Sequence, residues 1–170
     1  LGTGLCTTAV KADMANMVDT ASAFASMARL NDLPPRLGSD LHAAVHACTD
    51  VTGFGLAGHL LDMLSPGSTD CLLDPGALPF FRGVPDVADM GLVPAGTYRN
   101  RELYSPRADG LSALPPAIQD LVFDPQTSGG LLVAAAPEAA EAILETCAKG
   151  FAPEARVIGK FEVGSGRIRF

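Results

Sequence analysis

Ala47-Cys48-Thr49-Asp50-Val51-Thr52-Gly53-Phe54-Gly55-Leu56-Ala57-Gly58-His59-Leu60 passes from a short apolar run through a glycine turn into leucines at helical spacing. Residues 46–49 read as a buried strand. Residues 53–64 read as a helix with Leu56, Leu60, Leu61 and Leu64 inward, stopped by Ser65-Pro66-Gly67. Asp50 then stands where a strand ends and a helix is about to start. A carboxylate there offers a hard oxygen ligand, and the following backbone N–H groups sit at the positive end of a helix, a corner suited to Mg²⁺ with phosphate. The alternative is that Asp50 or Thr52 caps the helix and the glycines allow strand and helix to pack closely. Pattern alone leaves both open.

Downstream, Asp124-Pro125-Gln126-Thr127-Ser128-Gly129-Gly130 forms a second glycine turn directly before residues 131–135, which read as a buried strand. Thr127, Ser128 and the glycines could cradle an anion, and the same residues are ordinary turn chemistry. Around these two turns the pattern predicts helices over 7–11 and 14–30. The second carries an inward stripe of Met14, Met17, Val18, Ala21, Phe24, Ala25 and Ala28 and takes Asp13 as N-cap. Pro34-Pro35 stop it, and 41–45 form one further helical turn. A strand over 69–74, a short helix over 85–90 closed by Gly91, a helical turn over 117–122 and a helix over 137–148 follow. Residues 157–163 and 167–170 read as a terminal hairpin across Gly164-Ser165-Gly166. Residues 93–116 read as a long irregular segment holding Thr97-Tyr98-Arg99-Asn100, where Asn100 and Arg99 could face a site. Strands and helices without strict alternation predict an α+β fold, layered, with a mixed sheet and flanking helices.

The chain has 170 residues, 48% of them hydrophobic, enough for one buried core over 1–170 without a linker. A net charge of −7 without runs of Lys or Arg argues against nucleic acid. The apolar runs fall well short of the roughly 20 residues that span a bilayer, which argues against a membrane role. Four scattered cysteines, with no Cys-x-x-Cys pair, read as reduced and cytoplasmic. Cys6 and Cys48 read as buried hydrophobes, and His42, His46 and His59 as structural histidines.

Taken in order, these motifs resemble the C-terminal domain of the selenophosphate synthetases (selenide, water dikinases), within the wider superfamily of aminoimidazole ribonucleotide synthetase-like C-terminal domains. Leu1-Gly2-Thr3-Gly4 is similar to the family's Pro-Leu-Gly-Thr-Gly, and residues 47–59 to its Ala-Cys-Thr-Asp-Val-Thr-Gly-Phe-Gly-Leu-x-Gly-His block. Gly96-Thr97-x-x-Asn100 and residues 126–132 match its remaining motifs. The resemblance implies an α+β domain with a largely antiparallel mixed sheet, the intact protein converting ATP, selenide and water into selenophosphate, AMP and phosphate. It implies Asp50 as a Mg²⁺ ligand and places Thr52, Gly53, Gly55, Asn100, Gln126, Thr127, Ser128 and Gly129 against ATP. No catalytic residue falls in this chain: the reactive Cys or selenocysteine, its Lys and the nucleotide-binding glycines are expected upstream of Leu1, in an N-terminal domain that also carries the other carboxylates and builds a homodimer. Both Mg²⁺ and ATP are therefore expected to need that domain. The chain departs from the family pattern at Pro34-Pro35, where a continuous helix is usual, and at Ala95, where glycine is expected. Another ATP-using relative, such as a thiamine-monophosphate kinase, or a non-catalytic interaction module are the rival readings.

Overall fold

Leu56, Leu60, Leu61 and, just past its end, Leu64 bury one face of helix α4 (Gly55–Met63) against the centre of the largest apolar cluster. The computed structural model describes residues 1–64, 68–150 and 152–170. The fold is α+β. In chain order the elements are α1 (Thr3–Lys11), α2 (Thr20–Met27), α3 (Ser39–Ala43), β1 (Val45–Asp50), α4, β2 (Thr69–Leu73), α5 (Val84–Asp89) and α6 (Ala95–Tyr104). They continue with β3 (Ala108–Asp109), α7 (Pro116–Leu121), β4 (Leu131–Ala135), α8 (Ala140–Gly150), β5 (Gly159–Val163) and β6 (Ile168–Arg169).

Among the described residues the strands divide into two sheets. β1 and β4 form an antiparallel ribbon with Cys48 opposite Val133 and Asp50 opposite Leu131. A mixed sheet runs β3-β6-β2-β5, its longer ladder, β2 with β5, antiparallel and the short pairings of β6 with β2 and β3 parallel. Three apolar clusters hold these layers together. α4 packs with Cys71, Leu73, Phe123, Leu132 and Ile168. α1, α5 and α7 meet through Leu5, Val84, Val87 and Leu121. α8 lies on the ribbon through Ile143, Cys147 and Leu131.

Several expectations give way to the structure. Residues 14–30 do not make one helix. Asp13 has φ 60°, a left-handed turn residue, and a 3₁₀ turn (Ala15–Met17) intervenes. The N-cap is Asp19, whose carboxylate accepts from Ser22 N at 3.0 Å. Because the helix restarts there, its buried residue is Ala23, while Ala21, Phe24, Ala25 and Ala28 face outward. Residues 93–116 are not irregular: they contain α6, ten residues long. Its inward positions are Thr97 and Asn100, so no apolar periodicity marks it. The strand at 46–49 forms, but β1 alternates between half-buried and exposed residues and is not a buried strand, since it pairs on one side only; Cys48 is exposed and is not a buried hydrophobe. β4 likewise alternates.

The terminal hairpin is also replaced. β5 and β6 run in opposite directions, as a hairpin would, but β2 lies between them. The Gly164-Ser165-Gly166 turn bridges over β2, where Asp70 accepts from Ser165 N at 2.7 Å and Arg167 N at 2.9 Å. These two N–H donors hold the Asp70 carboxyl below the usual aspartate range. The helix stop at Ser65-Pro66-Gly67 lies outside the described residues.

Candidate functional site

The two glycine turns form one corner. β1 and β4 end together at Asp50 and Leu131, and the ladder continues past them: Val51 N donates to Gly130 O and Gln126 N donates to Thr52 O, both at 2.9 Å. Gly129 makes this seam possible, because a Cβ there would stand 2.1 Å from Val51 O. Gly55 is required for a second reason. It has φ +70°, and a Cβ would meet the backbone carbon and oxygen of Phe123 at 2.8 Å. Gly53, two residues earlier, is exposed with open space around it.

Side chains sew the corner from beneath. His59 Nε2 accepts from Thr52 N at 3.0 Å and lies 3.2 Å from Thr52 Oγ1. That acceptor role puts the ring proton on Nδ1. The His59 ring packs against Phe54, centroids 5.6 Å apart, so His59 is structural, as its surroundings in the sequence suggest. Asn100, carried in by α6, donates from Nδ2 to Gly53 O at 2.9 Å and Phe123 O at 3.0 Å, tying the two turns together. Gln126 is buried: its Oε1 accepts from Gly2 N, Thr3 N and Thr3 Oγ1, and its Nε2 donates to Asp124. Thr3 Oγ1 in turn accepts from Thr127 N at 2.9 Å. Ser128 Oγ donates to Met27 O, and Asn31 Nδ2 donates to Gly129 O.

The residues that the resemblance sets against Mg²⁺ and ATP thus converge, with different tasks, while Arg99 lies exposed on α6. Asn100, Gln126 and Ser128 spend polar atoms on the protein itself, and Gly55 serves packing. Asp50, Gly53, Thr127 and Gly130 are exposed on the corner. The capping alternative fails for Asp50 and Thr52: α4 has Phe54 as N-cap and no side-chain capping bond. Its companion, that glycine permits close packing, holds at Gly55.

Sequence reasoning missed Asp124 and the role of Thr3. Asp124 is wholly buried, and its Oδ2 accepts from Gly4 N at 3.1 Å, Leu5 N at 3.4 Å and Gln126 Nε2 at 2.9 Å. Burial pushes its pKa up to about 7 against those donors. Its partners lie far away in sequence, so Asp124-Pro125 looked like any turn.

Among the described residues no group of three or more His, Cys, Asp or Glu could hold a metal ion. Asp50 alone can fill one position around a hard octahedral cation, which takes the rest from water, phosphate or other carboxylates.

Comparison with known proteins identifies the framework. Residues 6–169 match the family described as AIR synthase related protein, C-terminal domain. The chain belongs to this family. Similar curated proteins include the selenide, water dikinase of Geobacter metallireducens, 40% identical over 168 residues, covering 99% of this chain and 46% of that protein. Those of Pelobacter propionicus (40% over 144 residues; 85% and 41%) and Trichlorobacter lovleyi (45% over 140 residues; 82% and 40%) are also similar. The chain spans less than half the length of these relatives.

Proposed function

We propose that this AIR synthase-related domain, residues 1–170, is the C-terminal domain of a selenide, water dikinase working in the cytoplasm. It serves as the Mg–ATP phosphate-binding half of an enzyme that makes selenophosphate from ATP, selenide and water. The observation that carries the reading is the corner itself. An exposed carboxylate, Asp50, stands at the end of β1, beside two glycine turns locked together by Val51, Thr52, Asn100 and Gln126. A preorganised oxygen ligand next to bare backbone suits a phosphate chain with its cation. In this reading Asp50 contributes one oxygen to Mg²⁺, and Gly53, Thr127 and the exposed backbone of the second turn face the phosphates. Asn100, Gln126, Ser128 and Gly55 hold that surface in shape. Bound Mg²⁺ would neutralise phosphate charge and orient the phosphoryl groups. The nucleophile and the remaining carboxylates belong to an N-terminal domain, which is this chain's partner and the main builder of a homodimer.

The test is selenide-dependent release of AMP and phosphate from ATP by the longer protein, with and without Asp50→Asn. Loss of Mg–ATP affinity in the variant, at unchanged thermal stability, supports the reading. Full turnover by the variant at limiting Mg²⁺, or selenide-independent use of a ribonucleotide or thiamine phosphate, refutes it. The 170-residue chain by itself is expected not to turn ATP over.

A further inference from the structure

Asp124 has no place in the chemistry above, yet it is among the most deeply buried polar groups of the chain. Three N–H donors converge on Oδ2, two of them from the first turn of α1. Its other oxygen, Oδ1, is buried without a hydrogen-bond partner among the described residues. No ion pair to Asp124 occurs among the described residues. The titratable groups that face it are the Leu1 amino group and the Cys6 thiol, both on the α1 side. Gly4 keeps this contact tight, since a Cβ on it would lie 2.4 Å from both Asp124 Oδ1 and Pro125 O.

A buried carboxylate with a bare oxygen and no cationic side chain is costly, and such a group sheds the cost by taking a proton. Protonation removes the buried charge, and the three N–H donors on Oδ2 leave Oδ1 as the oxygen that carries the proton. The proton resides on Oδ1, and Oδ2, now a carbonyl oxygen, still accepts all three donors. The donors, the helix end and the Leu1 ammonium favour the anion, but burial outweighs them, in keeping with a pKa raised to about 7.

We propose that Asp124 is the positioning residue of the corner. As a neutral acid it clamps the start of α1 onto the 124–130 turn, and loss of its proton loosens that clamp. The movement reaches the site through Gln126, whose side chain holds Gly2 and Thr3 and whose N–H holds Thr52 O. The assignment of a role in ligand binding, though not the clamp itself, rests on the corner being the phosphate site.

Opening the clamp exposes Asp124 to water, where its pKa returns toward the ordinary aspartate value of 3.8. Between that value and about 7 the closed form is protonated and the open form is not, so opening releases a proton. The opening constant then rises by up to about tenfold per pH unit and levels off above neutrality. Amide hydrogen exchange on the 170-residue chain, corrected for intrinsic rates, reads this at Gly4, Leu5 and Gln126. The expected result is protection that falls steeply from pH 5 to 7 in the wild type and stays flat in Asp124→Asn, which keeps the Oδ2 acceptor and cannot ionise. The Asp124 carboxyl ¹³C resonance supplies a second readout independent of any variant: titration near neutrality supports the clamp, and titration near the ordinary aspartate value overturns it. Identical pH profiles for wild type and Asp124→Asn also overturn it. In the longer protein, Mg–ATP affinity should weaken from pH 6 to 8 in the wild type and not in Asp124→Asn. Equal weakening in both refutes the positioning role, whereas absence of Mg–ATP binding at every pH refutes the phosphate-site reading and leaves the exchange result to judge the clamp.

Discussion

Gly55→Ala and Gly53→Ala make the same chemical change two residues apart, and the structure assigns them opposite consequences. At Gly55 the new Cβ meets two penalties. A left-handed backbone conformation costs an alanine roughly 1–2 kcal/mol. The 2.8 Å approach to the Phe123 backbone forces α4 away from the chain that Asn100 and Ala57 N hold, an overpacking cost of about 1–3 kcal/mol. The total, about 2–5 kcal/mol, is a large share of the 5–15 kcal/mol that ordinarily separates folded from unfolded states. In a domain of this size each kcal/mol moves Tm by roughly 2–4 °C, so Gly55→Ala is expected to melt about 4–20 °C lower. Gly53 has no positive φ, and a Cβ added to it would meet no atom of the described residues within 4 Å. Alanine there should leave Tm unchanged or raise it slightly, by about 0.4–1 kcal/mol of reduced unfolded-state entropy. In the longer protein, however, it adds a methyl group to the face assigned to phosphate and should weaken Mg–ATP binding several-fold. Thermal melts of the 170-residue variants and Mg–ATP titrations of the longer ones decide the matter. Equal melting shifts, or a Gly55→Ala variant within about 2 °C of wild type, would refute the division between a packing glycine and a site glycine.

Further outcomes follow from single contacts. Leu121, fully buried between α1 and α5, should cost about 2–5 kcal/mol when cut to alanine, read by urea unfolding at constant m-value. Asp70→Ala should speed amide exchange at Ser165 and Arg167 and leave Gly4 and Leu5 untouched. Because the Asp70 carboxyl titrates below the usual range in the fold, its stabilising effect is present above the unfolded value and is lost as pH falls through the folded one. Wild type and Asp70→Asn should therefore differ in their acid unfolding below about pH 4, and superimposable curves would count against the Asp70 clasp. His59→Ala should free Thr52 N and lower Mg–ATP affinity in the longer protein more than it lowers Tm.

Much of this was legible from local signals. The leucine spacing of α4, the glycine turns and the proline start at Pro137 depend on neighbours within a few residues. What stayed hidden depends on distant ones. α6 buries Thr97 and Asn100, so its helical period is written in polar residues that sequence patterns assign to loops. Asp13 and Asp19 are equally good caps on paper, and only the turn imposed by Asp13's positive φ chooses between them. At the corner, the motif residues named from the sequence lie side by side, but which of them bond to the protein itself was not legible. Whether Gln126 faces a ligand or Gly2 is decided by a segment more than a hundred residues away. The same distance concealed Asp124.

The placement of β2 between β5 and β6 bears on the order in which this chain can acquire its sheet. A hairpin could close as soon as its two arms existed, but here the last strand finds its place only beside one emerging about a hundred residues earlier, and β3 is joined to the rest through two residues, Ile168 and Arg169. During synthesis β2 and β3 therefore remain without their shared neighbour until residues 168 and 169 have left the ribosome. Long-range closure of this kind is slow, and open strand edges invite wrong pairings while it is pending. Ile168 and Arg169 act as a keystone, set after both of their neighbours, and deleting residues 168–170 should leave β3 detached and Asp109 without its Arg167-bearing neighbour held in register.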